Sequence, residues 1–207
     1  RTLGGRLRGQ ELAASDVVRA VASIYLFLPQ IPMLFMGEEW NASQPFYFFC
    51  DFGGELAGAV REGRRAEFSR FPQFADPLER EKIPDPVDAH SFESTKLNWA
   101  DLANPEHAEW LEWYREILSV RSRELVPRLT QISSGGQWEV LAPQAVRAVW
   151  AMKGASLVLN ANLSPAPVVV GDDGRTIWQH RVQLDGKLAP FSVRWSISDD
   201  SKERSLP

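Results

Sequence analysis

The spacing of apolar and polar positions divides the chain into a helix-rich first part and a strand-rich second part. Leu12 to Leu28 (LAASDVVRAVASIYLFL) holds no Pro or Gly, and its second half is apolar on every face, which predicts a helix covered on more than one side. Pro29 ends it. Ile31, Met33, Leu34, Phe35 and Met36 form an apolar run too short for a helix, with Pro32 near its start, and read as a fully buried strand broken by Gly37. Helix, short loop and buried strand make the αβ half of a βαβ unit, so this strand is expected to run parallel to its neighbours in a barrel or an open α/β sheet. Glu38, Glu39 and Trp40 then fall at its carboxyl end, where such sheets carry their ligand sites.

Glu55 to Phe68 predicts a second helix, and Asn104-Pro105, an N-cap residue followed by proline at the first helical position, opens a third. On that helix Trp110, Leu111, Tyr114, Ile117 and Leu118 share one face and are assigned to packing, with Arg121 and Arg123 near its C-terminal end, where cations are favoured. Between the two, Pro72, Pro77, Pro84 and Pro86 mark Phe71 to Phe92 as a long irregular excursion. From Val126 the pattern changes to short alternating runs. Gln137–Leu141, Ala145–Met152, Ser156–Ala161, Pro167–Val170, Thr176–His180 and Phe191–Ile197 read as strands, with Lys153-Gly154 and Asp172-Asp173-Gly174 as turns. The expected second domain is a small antiparallel β-sandwich over 126–207, with a disordered tail from Asp199.

Composition narrows the function classes. The 207 residues are 44% hydrophobic and 24% charged, an ordinary globular balance. A net charge of −4 with dispersed basic residues argues against a surface that tracks nucleic-acid phosphates. The single cysteine, Cys50, excludes an internal disulfide and fits a reducing cytoplasm, and no metal-ligand spacing is present. Neither a membrane-spanning stretch nor a signal-peptide core is evident, so a cytoplasmic location is expected. The chain opens on Arg1 rather than methionine, and the reading is of a fragment whose true N-terminus lies upstream.

Candidate chemistry concentrates in Ile31 to Asp51. The stretch sets rings beside acids at the expected strand end, residue types that offer a ligand flat apolar platforms and hydrogen-bond acceptors. Trp40, Phe46 and Phe49 supply rings, and Glu39, Asp51 and Glu55 supply acceptors, with Glu38 read as structural; Asp51 and Glu55 are equally well placed as acids at a helix start. Glu38 and Glu39, adjacent on an extended strand, point to opposite sides and cannot act together as a facing acid and base. His90, His107 and His180 have neither triad nor metal spacing.

Several linked stretches carry a resemblance. Gly37-Glu38-Glu39 is shared widely among α-amylase-family glycoside hydrolases. More specific are Glu39-Trp40-Asn41-Ala42-Ser43-Gln44-Pro45-Phe46, Phe48-Phe49-Cys50-Asp51-Phe52, Gly63-Arg64-Arg65, Ile83-Pro84-Asp85-Pro86 and Ser94-Thr95-Lys96-Leu97-Asn98-Trp99. Together they resemble the malto-oligosyltrehalose trehalohydrolase family. That resemblance implies a C-terminal portion of a (β/α)8 barrel over 1–125, including its eighth strand, followed by the sandwich. It implies a retaining cleavage of the α-1,4-glucosidic bond next to a terminal trehalose unit, with a malto-oligosyltrehalose or other α-glucan as substrate and no cofactor. The family's catalytic carboxylates would all lie upstream of residue 1, in a missing barrel portion of the same polypeptide, so no catalytic residue is assigned and the 207-residue chain alone is expected to be inactive. The alternatives are a glycogen-branching enzyme and a non-catalytic carbohydrate-binding remnant.

Overall fold

The Pro- and Gly-free stretch folds as helix α1, Ser15–Phe27, ended one residue before Pro29 by the Leu28 amide donating to the Ile24 carbonyl at 3.2 Å. In the computed structural model, residues 5–6, 13–74, 76, 78, 82–132, 135–181 and 185–199 are described. The chain divides into two compact units, Phe35–Trp110 with Arg1–Leu12, and Ala13–Leu34 with Leu111–Pro207.

In the second unit, five strands form one antiparallel sheet. β3 (Gln137–Ala142), β4 (Ala145–Met152), β5 (Ala155–Asn162), β7 (Arg175–His180) and β9 (Ser192–Asp199) lie in the order β3-β4-β5-β9-β7. A separate antiparallel pair joins β6 (Val168–Val169) to β8 (Lys187–Leu188). The alternating runs of the sequence thus become one broad sheet and a short two-stranded pair that β7 interrupts in the chain. Asp199 ends β9, and the remainder of the expected tail lies outside the described residues.

Register puts Trp195, Trp178 and Leu159 in one row across the sheet, since Leu159 pairs with Trp195 and Trp195 with Trp178. α1 packs on that face. Phe27 lies between Trp178 and Trp195, at 6.0 and 5.9 Å between ring centres. Both indoles also find acceptors on one helical residue: Trp178 Nε1 donates to the Ser23 hydroxyl at 3.1 Å and Trp195 Nε1 to the Ser23 carbonyl at 2.9 Å. Ser23, in the apolar second half of the helix, is therefore buried and satisfied, as a buried polar group must be.

The opposite face carries a polar row, Glu139, Arg147, Asn160, Arg194 and Gln179, in register across all five strands. Buried Asp173 closes over it, accepting from Arg147 at 2.9 Å, Asn160 at 2.6 Å and Arg194 at 3.0 Å. Two cations and an amide around one carboxylate give that charge the partners burial demands.

The third predicted helix is α3, Pro105–Val120, which begins in the first unit and continues in the second; Trp110, Tyr114 and Ile117 are buried as its spacing predicts. In the second unit the chain runs on through a π turn, Arg121–Leu125. Arg121 was expected to favour the end of its own helix. Instead its guanidinium is buried and donates to the carbonyls of Leu26, Leu28 and Gln30 at 2.7, 2.8 and 3.0 Å, closing the C-terminus of α1. Burial pulls its pKa below the ordinary arginine value.

One expectation is corrected. Residues 31–35 take no regular secondary structure and residues 36–37 turn, so the buried strand over Ile31 to Met36 is not formed. Ile31 is 93% exposed and Met33 87%. A buried strand needs hydrogen-bonded neighbours, and the described strands pair only among themselves.

Candidate functional site

The first unit holds every candidate site residue. At its centre Gly37 and Asn41, with φ of +80° and +58°, bracket a single 3-10 turn, Glu38–Trp40. Gly37 tolerates that conformation freely and Asn more readily than most residues, so the Gly-Glu-Glu-Trp-Asn order is written for this turn. The Ala42 amide donates to the Gly37 carbonyl at 2.8 Å and closes it. Glu38 Oε2 accepts from the Phe35 amide at 3.1 Å, holding the residue that leads in. Glu39 is half-buried.

Trp40 is 3% exposed. Its carbonyl accepts from His107 Nδ1 at 2.9 Å, and because a carbonyl can only accept, that nitrogen carries the proton. Its ring lies 4.8 Å from that of Trp99, which is 65% exposed. Of this pair, then, the ring that meets solvent is Trp99.

Phe46 and Tyr47 form the short strand β2, antiparallel to β1, Gly5–Arg6. Half-buried Phe46 and Phe49 belong to a relay of rings: Phe35 to Phe46 at 5.0 Å, Phe46 to Phe49 at 5.7 Å, and Phe49 to Phe92 at 5.0 Å. Asp51 and Glu55 are exposed on either side of Gly53-Gly54, where α2 (Gly54–Phe68) starts without a side-chain cap; Glu55 lies in its first turn. Glu39, Trp40, Phe46, Phe49, Asp51 and Glu55 thus share one unit, but as a buried ring, a ring relay and separate acids.

The other motif residues brace this arrangement. Asp85 accepts from Arg61 Nε at 2.6 Å and from the Val87 amide at 3.0 Å. Burial pushes its pKa up, but these two donors outweigh it and hold the carboxyl below its usual value. The Cys50 amide donates to the Pro86 carbonyl at 2.8 Å, tying the aromatic loop to the Ile83-Pro84-Asp85-Pro86 stretch. Arg64 lies over the rings of Phe48 and Phe68, each at 4.8 Å. Among the described residues no group of three His, Cys, Asp or Glu side chains could hold a metal ion, and no helix is long and apolar enough to cross a membrane.

The sequence pattern alone assigns no site role to Trp99 or His107. The signal for Trp99 is the Asn98…Asp101 spacing, which marks a capped turn that would present it. For His107 there is none, because its partner is a backbone carbonyl sixty-seven residues away.

With this geometry in hand, comparison with known proteins decides the kinship. The malto-oligosyltrehalose trehalohydrolase of Mycobacterium tuberculosis is 32% identical over 209 residues, covering 93% of this chain and 32% of that protein. The enzyme of that name from Deinococcus radiodurans is 43% identical over 129 residues, 60% of this chain and 20% of its own. The chain is a relative of the malto-oligosyltrehalose trehalohydrolases. A family model described as a domain of unknown function (DUF3459) matches residues 133–195, within the five-stranded sheet unit. A crystal structure described as that of a candidate α-amylase from Salmonella typhimurium superposes with a TM-score of 0.84 at 34% identity, over 93% of this chain and 32% of that one. The chain therefore spans about a third or less of the trehalohydrolases it matches, and it shares the architecture of α-amylase-family enzymes in that part.

Proposed function

We propose that the chain is the C-terminal part of an α-amylase-family glycosidase that releases trehalose from malto-oligosyltrehalose by a retaining mechanism. Residues 1–125 complete a (β/α)8 barrel and 126–207 form its C-terminal β-domain, while the catalytic Asp and Glu residues belong to barrel strands before residue 1. The chain contributes the Gly37–Asn41 turn and the surrounding rings and acids, with Glu39, Phe46, Phe49, Asp51 and Glu55 as its part of the sugar site and buried Trp40 as a ring beneath it. No cofactor enters this chemistry, and the reading carries with it a cytoplasmic enzyme.

The observation that carries this reading is identity of 32% to a named trehalohydrolase sustained over 93% of the chain, through the motif-bearing first unit and the sheet alike. The test is an assay of the full gene product on maltotriosyltrehalose and on soluble starch. Free trehalose from the first is expected, with no new branch points in the second. Branching of the glucan would instead favour a glycogen-branching enzyme, and the absence of trehalose release would overturn the proposal. The isolated 207-residue chain is expected to release none.

A further inference from the structure

Trp99 stands out among the exposed apolar side chains of the first unit. Among the described residues it is the most exposed aromatic of that unit; Phe48, Phe52, Phe71 and Phe92 are less open, and Phe48 and Phe92 already have a cation over their rings, Arg64 at 4.8 Å and Lys96 at 4.7 Å. The Trp99 ring packs at a tilt of 53° against buried Trp40 and leaves 65% of the residue exposed. An indole shown to water in this way keeps a large apolar face available to a partner.

The turn that carries the ring is also braced. Trp99 begins the 3-10 turn Trp99–Ala103, whose N-cap Asn98 accepts from the Ala100 amide at 3.3 Å and donates to Asp101 Oδ1 at 2.6 Å. Gln44, from the segment just after the Gly37–Asn41 turn, donates to Asp101 Oδ2 at 3.1 Å and ties the two turns together. Both carboxylate oxygens of Asp101 are thereby oriented, and each keeps a second lone pair. An exposed, flat ring carried on the same short turn as a carboxylate matches a pyranose, whose weakly positive C–H face stacks on the π-system while its rim hydroxyls donate to a carboxylate. The net charge of −4 and the acidic rim disfavour an anionic partner at the same place.

We propose that Trp99 is a sugar-stacking platform that takes one glucose ring of an α-1,4-linked chain, with Asp101 accepting from that ring's hydroxyls and Trp40 as the buried ring beneath it. The assignment rests on the function proposed above and extends it: Trp40 supports, and Trp99 contacts.

The test uses the full gene product labelled with 5-fluorotryptophan, the Trp99 resonance being identified by its loss in Trp99→Phe. Titration with maltoheptaose is expected to shift that resonance saturably, and Trp99→Ala is expected to raise KM for maltotriosyltrehalose about tenfold with kcat within about twofold and an unchanged melting temperature. Trp99→Phe should fall between the two. A Trp99 resonance unmoved by maltoheptaose overturns the platform whether or not trehalose is released, because it means that another part of the polypeptide covers the ring. An unchanged KM in Trp99→Ala with wild-type trehalose release overturns it while leaving the enzyme reading intact.

Discussion

Arg121 closes the C-terminal end of α1 from more than ninety positions away along the chain. It satisfies three carbonyls there with one planar group. Arg121→Met should leave those acceptors buried without donors and cost about 3 kcal/mol in urea unfolding, with Arg121→Lys recovering part of it. His180 gives the same unit a dependence on pH. Its Nε2 lies 3.1 Å from the Asp16 carbonyl, and burial lowers its pKa; the Asp16 backbone and charge oppose that shift while Arg19 and Arg181 add to it. The folded pKa is thus below the ordinary value of about 6.5, so the unfolded chain takes up the proton first as the pH falls. The melting temperature should be insensitive to His180 above about pH 7 and should drop as the pH falls through about 6.5 toward the lower folded value. His180→Gln should flatten that drop; an identical profile in the variant would remove His180 as its source.

At the scale of elements, the strands of the sheet are set by alternation and their turns by residue type, and the Asp172-Asp173-Gly174 turn shows how tightly. Gly174 has φ +84°, and a Cβ built there would stand 2.5 Å from the Ile197 carbonyl oxygen on β9. The turn must come that close so that Asp173 can reach Arg147, Asn160 and Arg194. Gly174→Ala is expected to cost about 1–3 kcal/mol in chemical denaturation, from both the strained φ and the clash, whereas Gly154→Ala, at φ +75° but with open space around it, should cost only the conformational part, about 1 kcal/mol. Equal costs at the two sites would mean that β7 and β9 yield freely at this turn.

For the whole molecule the segment 31–36 is the deciding feature. Its apolar side chains are those of a buried strand, yet Ile31 and Met33 stand in solvent. In the full gene product, barrel strands on either side would take up its backbone groups, so the proposal predicts slow amide exchange over 31–36 there and fast exchange in the 207-residue chain, measured by mass spectrometry. Fast exchange in both would place this segment outside any sheet and remove the barrel from the proposed function.

Local rules made much of this architecture legible. Pro29 and Asn104-Pro105 mark helix ends that the structure keeps to within a few residues, and β4 runs over Ala145–Met152 as its alternation predicts, because period and capping act through neighbours in the chain. Stretches from Gly37 to Trp99 likewise carry the resemblance to the trehalohydrolases in the sequence itself. What the tertiary structure alone decided is which of two tryptophans, Trp40 or Trp99, is covered, that Arg121 serves a helix other than its own, that Ser23 anchors two indoles, and that 31–36 is no strand without neighbours. Each of these depends on groups tens of residues apart meeting in space, and burial and pairing across such separations leave no periodic trace in the chain that folds to make them.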